Sequence, residues 1–437
     1  MARVFPFAPF AFYPFFVRTH LKVLLLNQCF YPDVVSASQH LTDFAVGLAE
    51  RGHEVTVLAS RRGYDDSSVR FSKRERWKGI DIIRLPSIAL GKATKLRRAV
   101  GFASFLIACV CRLILLPKYD VVVGMTAPPL VSFIATLFVK LKGGRFLYWV
   151  LDLNPDEAVA AGWLRPDSFA AKFLDTVLRF TLRHSEKIIV LDRFMKERIL
   201  AKGIASEKVE IIAPWSHDDA VKFDAEGRSD FRAQHDLSNK FVVMYSGNHS
   251  PCHPLDTLLD AANKLQDRSE ISFCFVGGGS QFARVKGFAA ERRLKNILCL
   301  PYQPLDKLSA SLSAADLHVV VMGDPFTGIV HPCKIYNVLS IGTPFLYIGP
   351  EQSHVIDIVS HLAGNDSARV AKHGELDRVV EQILDAAQGE QMLLRSDEML
   401  FAKRFSMATL LPRMLESLES QPGLLPLCGS TSSSPSA

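Results

Sequence analysis

Short apolar runs alternate with amphipathic segments through the first half of the chain. Lys22–Leu26 and Glu54–Ala59 are too short to be helices, and the segment Ser38–Glu50 between them carries its apolar residues at helical spacing. Further runs of the same kind follow and are also predicted strands: Asp81–Leu85, Val121–Gly124, Arg145–Leu151, Lys187–Leu191 and Val209–Ile212. Continuously apolar strands separated by helices indicate a parallel sheet that is covered on both faces.

The same alternation restarts after a polar connector, residues 213–239. The second set of predicted strands is Phe241–Tyr245, Ile271–Val276, Ile297–Leu300, Leu317–Val321 and Pro344–Ile348. Because 437 residues exceed what one core holds, we predict an α/β protein with two facing Rossmann-like doubly wound parallel-sheet domains, over residues 21–215 and 216–395. Ligands of such sheets bind at the carboxyl ends of the strands, here in the cleft between the domains.

The two ends of the chain lie outside this pattern. Residues 1–20 form an aromatic leader that is too short and too rich in proline to span a bilayer, so it is either a poorly ordered leader or an interfacial anchor. A helix that crosses back to the first domain is predicted over residues 396–420. Residues 421–437 form a tail rich in Pro and Ser that we expect to be disordered.

Charge is divided unevenly between the two halves. Residues 1–215 carry 31 Lys and Arg against 19 Asp and Glu, a net charge of +12, whereas residues 216–437 carry 20 against 26, a net charge of −6. A nucleic-acid-binding protein would be basic more uniformly, so we expect no nucleic acid partner. Ala99–Leu116 contains a single charge, Arg112, and follows a basic segment. It is either a buried helix or a helix that dips into an anionic leaflet, and the basic flank favours the second.

Several chemistries are excluded by the motifs that are missing. The eight cysteines are scattered without a C-x-x-C pair, as is typical of reduced thiols in a cytosolic protein. The loop Asn27–Pro32 after the first predicted strand has no glycine and the chain has no G-x-x-x-x-G-K-[ST] sequence, which argues against a dinucleotide-binding dehydrogenase and a P-loop enzyme. His249 and His253 are four residues apart, but the prolines beside them argue against a helical zinc pair, so we predict no metal and no cofactor.

Two groups of residues are candidates for a binding site. Gly247-Asn248 and Gly277–Gly279 stand at strand ends, where bare backbone can approach a diphosphate. Lys334 opens a helix on the same side, and is either a surface lysine or, as we favour, a cation that neutralises a leaving diphosphate. In the first half, Asp152–Glu157 follows a predicted strand, and its carboxylates either cap the next helix or bind sugar hydroxyls.

Taken in order, the motifs of the chain form a recognisable set. They are Arg51–Val57, Thr126–Leu130, Asp152–Glu157, Tyr245–Asn248, Phe275–Gly279, Leu300–Tyr302, Pro332–Tyr336 and Gly342–Pro344. Over about residues 21–415 the chain resembles the GT-B glycosyltransferases of the retaining family-four (group 1) class, and most of all the bacterial subgroup of WbuB-type and colanic-acid-type polysaccharide transferases.

The resemblance implies that the second domain holds a nucleotide-sugar donor and the first a lipid-linked or growing polysaccharide acceptor. It implies hexosyl transfer with retention of configuration and without a metal, by a cytoplasmic protein attached peripherally to the anionic inner face of the plasma membrane. The implied catalytic residues are Lys334 and Asp152. The implied donor-binding residues are Gly247, Asn248, His253, Gly277, Gly278, Gly279, Tyr302 and Asn337, and the acceptor-side residues are Asn154, Asp156 and Glu157.

Three motifs depart from the family pattern, and one of them is the phosphate loop, where Asn248 and His253 stand in place of the usual Arg and Lys. The glutamates of its E-x7-E motif would fall near Thr327 and Asn337, and its glycine pair after the first strand reads Ser36-Ala37. We expect front-face displacement, in which the departing diphosphate helps to take the acceptor proton. The alternatives are a nucleotide-sugar 2-epimerase of the same fold and a non-catalytic membrane-bound partner of polysaccharide assembly, which the missing glutamates motivate.

Overall fold

The computed structural model describes residues 20–63, 68–88, 95–216, 221–362, 367–389 and 393–420. Within them the chain forms two sheets, of eight and six strands, with helices packed on both faces of each. This confirms the predicted fold class. The leader, except for residue 20, and the tail 421–437 lie outside the described residues, and the domain boundaries at residues 215 and 395 stay predictions.

The first sheet has the strand order β3-β4-β2-β1-β5-β6-β7-β8. Its strands are β1 Lys22–Leu26, β2 Glu54–Ser60, β3 Arg74–Trp77, β4 Ile80–Leu85, β5 Val121–Gly124, β6 Arg145–Trp149, β7 Lys187–Val190 and β8 Val209–Ile211. All pair in parallel except β3, which is antiparallel to β4. The sequence did not predict β3, because the charged run RERW has no apolar signal and becomes a strand only by pairing at the sheet edge.

Helices cover this sheet on its two faces. They are α1 Ser36–Glu50, α2 Lys95–Leu115, α3 Val131–Lys142, α4 Asp156–Ala160, α5 Phe169–His184 and α6 Arg193–Ala201, with a 3-10 turn at Ser206–Lys208. Alternate residues of each strand point to opposite faces. Val23 of β1 accordingly packs in the cluster with α1, and Leu24 in the cluster with α2 and α3.

The predicted helix at Ala99–Leu116 is α2. One side of it is buried in the core through Phe105 and Cys109, while Ile107 and Ile114 on the other side are exposed. Each of the two interpretations of this segment therefore describes one side of the helix, and insertion into a membrane stays a prediction. None of the helices in the described part of the chain is long and apolar enough to cross a bilayer.

The second sheet is entirely parallel, with the order β11-β10-β9-β12-β13-β14. Its strands are β9 Phe241–Asn248, β10 Ile271–Gly278, β11 Ile297–Leu300, β12 Leu317–Val321, β13 Phe345–Ile348 and β14 Ala368–Ala371. Its helices are α7 Ala225–Gln234, α8 Asp256–Lys264, α9 Phe282–Glu291, α10 Leu308–Ser313, α11 Lys334–Ile341, α12 His354–Val359 and α13 Leu376–Gln388, with 3-10 turns at Leu305–Lys307 and Asp324–Phe326. The short edge strand β14 was not predicted from the sequence.

The last described segment returns to the first sheet, but not as the single helix predicted over residues 396–420. It forms α14 Ser396–Ala402, a 3-10 turn at Lys403–Phe405 and α15 Met407–Glu419. The break occurs because Ser406 is extended and its side chain accepts a hydrogen bond from the Thr409 N–H, which starts a new helix. α15 then packs on α1 in the core of the first sheet.

Candidate functional site

The carboxyl ends of the two sheets meet across a cleft. On one side lies the loop Asp152–Glu157, which follows β6 and which we call the acidic loop. On the other side lie the ends of β9, β10 and β12 and the start of α11. The Leu153 N–H donates to the Ile329 carbonyl (2.9 Å), which links the two sides directly. Glu157 Oε1 lies 3.9 Å from Cys252 Sγ and accepts its S–H. The cleft is therefore formed by both halves of the chain, as the sequence predicted.

Lys334 is the first residue of α11, and its ammonium is enclosed although its stem is partly accessible. The Nζ atom lies 3.7 Å from the centre of the Tyr245 ring and has no hydrogen-bond partner among the described residues. Burial lowers the pKa of Lys334 from 10.5 to about 7. A β-carbon on Gly247 would lie 3.3 Å from Lys334 Cε, so this glycine leaves the strand end open beside the cation. An enclosed, unpaired ammonium at an open strand end is suited to bind an anion.

The strand ends beside Lys334 require glycine. Gly247 and Gly277 are partners in the β9–β10 register and have φ angles of +137° and +136°, where other residues are strained. A β-carbon on Gly277 would overlap the Gly247 carbonyl, and one on Gly278 would press on the Tyr302 ring. These glycines let two backbones and an aromatic ring approach one another closely at the rim of the cleft.

Two histidines line the same strand ends without adding charge. His249 Nδ1 lies 3.0 Å from the Gly247 carbonyl, and burial together with Lys334 lowers the pKa of His249 to about 4. His253 Nδ1 lies 2.8 Å from the Val321 carbonyl, and burial together with Lys334 holds the pKa of His253 well below its usual value. Both imidazoles are neutral at pH 7, so among these three side chains only Lys334, in its protonated form, can supply positive charge at this point of the cleft.

The other donor-side candidates lie around this centre. Asn337 is half-buried and lies three residues after Lys334 in α11, which places both on one side of the helix. Tyr302 is 45% exposed and stands against Gly278. The Asn248 side chain is exposed, and a β-carbon on Gly279 would collide with it; the Asn248 carbonyl accepts the Tyr245 hydroxyl (2.8 Å). The structure thus brings the donor-side candidates to one edge of the second sheet.

Asp152 occupies the opposite side of the cleft. It follows β6 and lies within electrostatic range of Glu157, Cys252 and Cys333. Burial in the cleft, with a smaller contribution from Glu157, raises the pKa of Asp152 from 3.8 to about 8. A carboxyl group with this pKa is protonated at pH 7 and can give up or take back a proton near neutrality.

The rest of the acidic loop divides into two parts. Asn154 Nδ2 donates to Glu157 Oε2 (3.0 Å), so these two acceptor-side candidates are held together at the cleft. Asp156 instead accepts from Lys202 Nζ (2.9 Å), which also binds Asp175 (2.8 Å). Asp156 is therefore part of an ion-pair network between helices of the first sheet and offers no free carboxylate to an acceptor. Asp156 lies in the first turn of α4, where the helix dipole favours a carboxylate, although no side chain caps this helix by a hydrogen bond.

Three cleft residues were not selected from the sequence, namely Ser36, Cys252 and Cys333. Ser36 at the start of α1 hydrogen-bonds to Cys333, which precedes Lys334. Burial raises the pKa of both thiols to about 12, so they remain protonated. Ser36 and Cys333 lie in motifs that the sequence shows, but their contact arises only through the packing of loops that are distant in sequence.

A buried hydrogen-bonded chain also joins the two sides just before Lys334. Asp192 Oδ2 lies 2.7 Å from His331 Nδ1, and His331 Nε2 lies 2.7 Å from the Tyr336 hydroxyl. Asp192 Oδ1 also accepts from the Met195 N–H (2.8 Å) at the start of α6. Burial would raise the pKa of Asp192, but the hydrogen bond and the charge of His331 outweigh it and lower that pKa to about 2.

Asp192, His331 and His354 form a group of potential metal ligands, with ligand atoms within 4.8 Å of one another. The His331 and His354 rings are stacked, with centres 3.6 Å apart and planes inclined by 20°. Imidazole lone pairs lie in the ring plane, so nearly parallel stacked rings do not direct them at one point, and this arrangement fits a metal poorly. The expectation of no metal stays a prediction.

A surface depression of the described residues lies elsewhere. It measures about 480 Å³ and is bounded by α8, the turn Asp324–Phe326 and the loop before α13. Asp256, Asp260 and Asp324 line it and would repel a diphosphate. We therefore place the functional site in the cleft between the sheets.

Two facing doubly wound sheets with a glycine-lined donor edge define the GT-B class of proteins. The sequence model for a glycosyl transferase 4-like domain matches residues 37–215, and that for glycosyl transferases group 1 matches residues 227–344. The two matches together cover well over half of the chain, which therefore belongs to the group 1 GT-B glycosyltransferases.

Individual relatives agree with this family. The chain is 26% identical over 335 residues to the protein of Escherichia coli K12 named as the colanic acid biosynthesis glycosyl transferase WcaI, covering 74% of this chain and 82% of that one. It is 25% identical over 241 residues to the glycosyltransferase WbjE of Pseudomonas aeruginosa, covering 54% of this chain and 60% of that one. The solved structure of Anabaena HepE, in complex with UDP and glucose, matches 92% of this chain and 100% of its own with a TM-score of 0.69 at 16% identity, and so shares the fold.

Proposed function

We propose that the protein is a retaining glycosyltransferase that moves a hexosyl group from a nucleotide-sugar donor to a lipid-linked or growing polysaccharide acceptor. The enclosed, unpaired ammonium of Lys334 carries the proposal, because a diphosphate is the anion that could reach it along glycine-lined strand ends. The name of the Escherichia coli relative, a colanic acid biosynthesis glycosyl transferase, supports a role in making a cell-surface polysaccharide such as O-antigen, capsule or exopolysaccharide. The UDP and glucose bound by HepE support the class of donor.

In this proposal the diphosphate lies against Gly247 and Gly277, with Lys334 at its oxygens. The base stacks near Tyr302, and Asn337 accepts a hydrogen bond from a ribose hydroxyl. The bond between the anomeric carbon and the diphosphate oxygen breaks while the acceptor oxygen bonds to the same face of that carbon. The acceptor proton passes to the departing diphosphate, and the charge that develops there is stabilised by Lys334 without a metal.

Asp152 is the acceptor-side group in this reaction. Because its carboxyl is protonated at neutral pH, it can donate a hydrogen bond to the acceptor sugar and orient the attacking hydroxyl. Asn154 and Glu157 bind the neighbouring hydroxyls in the same proposal. No covalent nucleophile is required, since the cleft provides positioning and positive potential.

A membrane partner is proposed from one surface of the first half of the chain. Among the described residues, 19 large apolar side chains are exposed, and eight of them lie on three neighbouring helices. We call this surface the α2–α3–α5 face, and it consists of Ile107, Val110, Ile114, Leu115, Leu137, Leu141, Phe169 and Phe173. Lys118 and Lys140 are exposed at its edge. An apolar surface with a basic edge is suited to the anionic inner leaflet of the plasma membrane.

The central test is donor binding and transfer by the purified protein. We expect at least one of UDP, GDP, ADP and dTDP to bind in calorimetry, and the matching nucleotide-sugar to be consumed when lipid-linked saccharide acceptors are added. Lys334→Met should weaken nucleotide binding at least tenfold, whereas Lys295→Met, at an exposed lysine of the same half, should not change it. Failure of every nucleotide to bind the folded protein would refute the proposal.

The two alternatives give different results in the same assay. A nucleotide-sugar 2-epimerase would convert the donor to its epimer without any acceptor, as seen by NMR of the sugar. Neither Thr327 nor Asn337 is acidic, which favours a non-catalytic partner that would bind nucleotide yet transfer nothing to any lipid-linked acceptor.

A further inference from the structure

The segment that leads into α11 belongs to the second half of the chain but lies against the first half. It comprises residues 322–333, between β12 and α11, and we call it the β12–α11 loop. Arg198 of α6 donates from Nε to the Thr327 carbonyl of this loop (2.6 Å). Gly328 has a φ of +68°, and a β-carbon there would lie 2.6 Å from the carbonyl oxygen of Phe194 in α6. The backbone of the loop therefore packs directly on the backbone of a first-half helix.

A buried carboxylate completes this contact. Asp192 immediately precedes α6, and its Oδ1 caps that helix by accepting from the Met195 N–H (2.8 Å). Its Oδ2 lies 2.7 Å from Nδ1 of His331, which belongs to the β12–α11 loop. Because the pKa of Asp192 is about 2, the carboxylate is ionised and can only accept, so His331 Nδ1 carries a hydrogen and donates it. One oxygen of Asp192 thus belongs to the first half of the chain and the other holds an imidazole of the second half.

The imidazole of His331 in turn brackets Lys334. Its Nε2 lies 2.7 Å from the Tyr336 hydroxyl, so one hydrogen bond joins a residue three positions before Lys334 to a residue two positions after it. The ring is also stacked on His354, with centres 3.6 Å apart, which leaves it little freedom to turn. No side chain caps the start of α11, and the contact with His331 ties its first turn to the loop instead. The position of Lys334 is therefore set by an imidazole that Asp192 orients.

A carboxylate, an imidazole and a hydroxyl in line are also the parts of a general-base relay. Burial excludes that role here. Asp192 and His331 are each 7% exposed and Tyr336 is 3% exposed, so none of the three can touch a substrate in the cleft. Burial also raises the pKa of Tyr336 well above 10, so its hydroxyl keeps its proton. The hydrogen-bonded chain therefore fixes positions and does not move protons to or from a sugar.

We propose that Asp192 is a positioning residue of the donor site, which is complete only when the first half of the chain packs on the β12–α11 loop. Through the imidazole of His331, Asp192 holds Lys334 where its ammonium meets the diphosphate. The inference rests on the proposed function, since it takes Lys334 as the group that binds this anion. Position matters because a charge-assisted hydrogen bond requires a separation of roughly 2.7 to 2.9 Å. A misplacement of about 1 Å can cost roughly a hundredfold in rate.

Calorimetry with the full-length protein tests the proposal, using whichever of UDP, GDP, ADP and dTDP binds the wild type at pH 7. Asp192→Ala should weaken binding of this nucleotide at least tenfold. Asp192→Asn should stay within threefold of the wild type, because its oxygen still caps α6 and its amide can donate to His331 Nδ1 once the ring carries its hydrogen on Nε2. The matched control is Arg193→Ala, which breaks a half-exposed ion pair with Asp357 (2.8 Å) between the same two halves and should not change the affinity.

A merely structural Asp192 would lower the stability of Asp192→Ala but leave the nucleotide affinity of the folded protein unchanged, and that result would overturn the proposal. A loss in Asp192→Asn as large as in Asp192→Ala would also overturn it, because charge and not position would then be responsible. If Asp192→Ala does not fold, Tyr336→Phe tests the other end of the chain, since it keeps the ring and removes only the hydroxyl. It should weaken the nucleotide at least threefold, and unchanged affinity in this variant would refute the positioning role.

A double-mutant cycle on stability separates this inference from the proposed function, because it needs no nucleotide. If Asp192→Ala or Tyr336→Phe releases the start of α11, water reaches the Lys334 ammonium. The stability that Lys334→Met gains in urea at pH 7 should then be less than half as large in these backgrounds as in the wild type. If no nucleotide binds but the gain shrinks in this way, the glycosyltransferase proposal fails and the positioning role stands. If nucleotide binding and transfer are normal in both backgrounds, only the positioning role fails.

Discussion

Lys334 gives the sharpest test of the site, because its charge is useful for binding and harmful for stability. The ammonium is enclosed and unpaired in the ligand-free protein. One pKa unit corresponds to 1.36 kcal/mol, so lowering the pKa of Lys334 from 10.5 to about 7 means that folding destabilises its charged form by about 5 kcal/mol. Rearrangement around the charge reduces this, so Lys334→Met should raise the free energy of unfolding at pH 7 by about 2 to 4 kcal/mol.

The pH dependence follows from the same pKa. The folded protein binds fewer protons than the unfolded chain between pH 7 and pH 10.5, so the wild type gains stability as pH rises through this range. The advantage of Lys334→Met is therefore greatest at and below pH 7 and should shrink by most of its value by pH 9.5. Urea unfolding of the two proteins at pH 7 and pH 9.5 measures this, with Lys295→Met as the control that shows no such trend.

The affinity for nucleotide should change in the opposite direction to stability. A hydrogen bond from a charged donor contributes about 1.5 to 3 kcal/mol, so the more stable Lys334→Met should bind nucleoside diphosphate ten- to over a hundredfold more weakly. Above pH 7 the wild type must take up a proton when it binds the anion, which calorimetry in buffers of different ionisation enthalpy detects. A variant that is no more stable than the wild type and binds nucleotide equally well would refute the whole description of this lysine.

Three further predictions concern other parts of the cleft. Because the pKa of Asp152 is about 8, kcat/KM for the acceptor should fall above pH 8. Asp152→Asn should remove this fall when kcat/KM is measured from pH 6 to 9.5. Gly277→Ala should lower the free energy of unfolding, measured in urea, by about 1 to 3 kcal/mol, because the φ of residue 277 is positive and the Gly247 carbonyl leaves no room for a β-carbon. The control Gly287→Ala lies in α9 with open space around it and should be neutral or slightly stabilising. Asp192→Ala should lower the free energy of unfolding by about 3 to 5 kcal/mol at pH 7, because it removes the partner of His331 Nδ1 and leaves this buried ring only its hydrogen bond with the Tyr336 hydroxyl. Because the folded pKa of Asp192 is depressed to about 2, the difference should fade as pH drops below 4, and equal urea midpoints at pH 7 would contradict the prediction.

The fold could be read from the sequence because its signals are local. Short apolar runs such as Leu317–Val321 become buried parallel strands with the predicted bounds. The elements that were missed or misjudged depend on contacts: β3 needs the edge of β4, and the break before α15 needs a single serine cap. The family of the protein could likewise be identified from motifs, which are local in sequence.

The environments of the candidate residues could not be predicted from local sequence signals. Lys334 and Asp152 were selected as residue types at strand ends, but their shifted pKa values arise from enclosure that only the packed structure shows. The Asp192–His331 hydrogen bond joins residues 139 positions apart and has no sequence signal. The sequence does not distinguish Asp156 from its neighbours in the acidic loop, because its ion pair with Lys202 forms only when the chain is folded.

The missing family glutamates and the unpaired lysine have one electrostatic explanation. A carboxylate at position 337 would lie one helical turn from Lys334, about 6 Å away, and at an effective dielectric constant near 20 would stabilise the ammonium by about 3 kcal/mol. With Asn337 in its place and both neighbouring histidines neutral, the Tyr245 ring and Cys333 offset only part of the desolvation of Lys334.

Asn337→Glu should therefore raise the pKa of Lys334 by about two, increase the stability of the ligand-free protein at pH 7, and abolish proton uptake on nucleotide binding. The added negative charge also repels the diphosphate, so nucleotide affinity should fall while the protein becomes more stable. Asn337→Gln keeps the charge unchanged and should show neither the stability gain nor the loss of proton uptake. If Asn337→Glu leaves proton uptake at pH 8 as large as in the wild type, then the lysine does not sense this position and the missing carboxylate does not explain its low pKa.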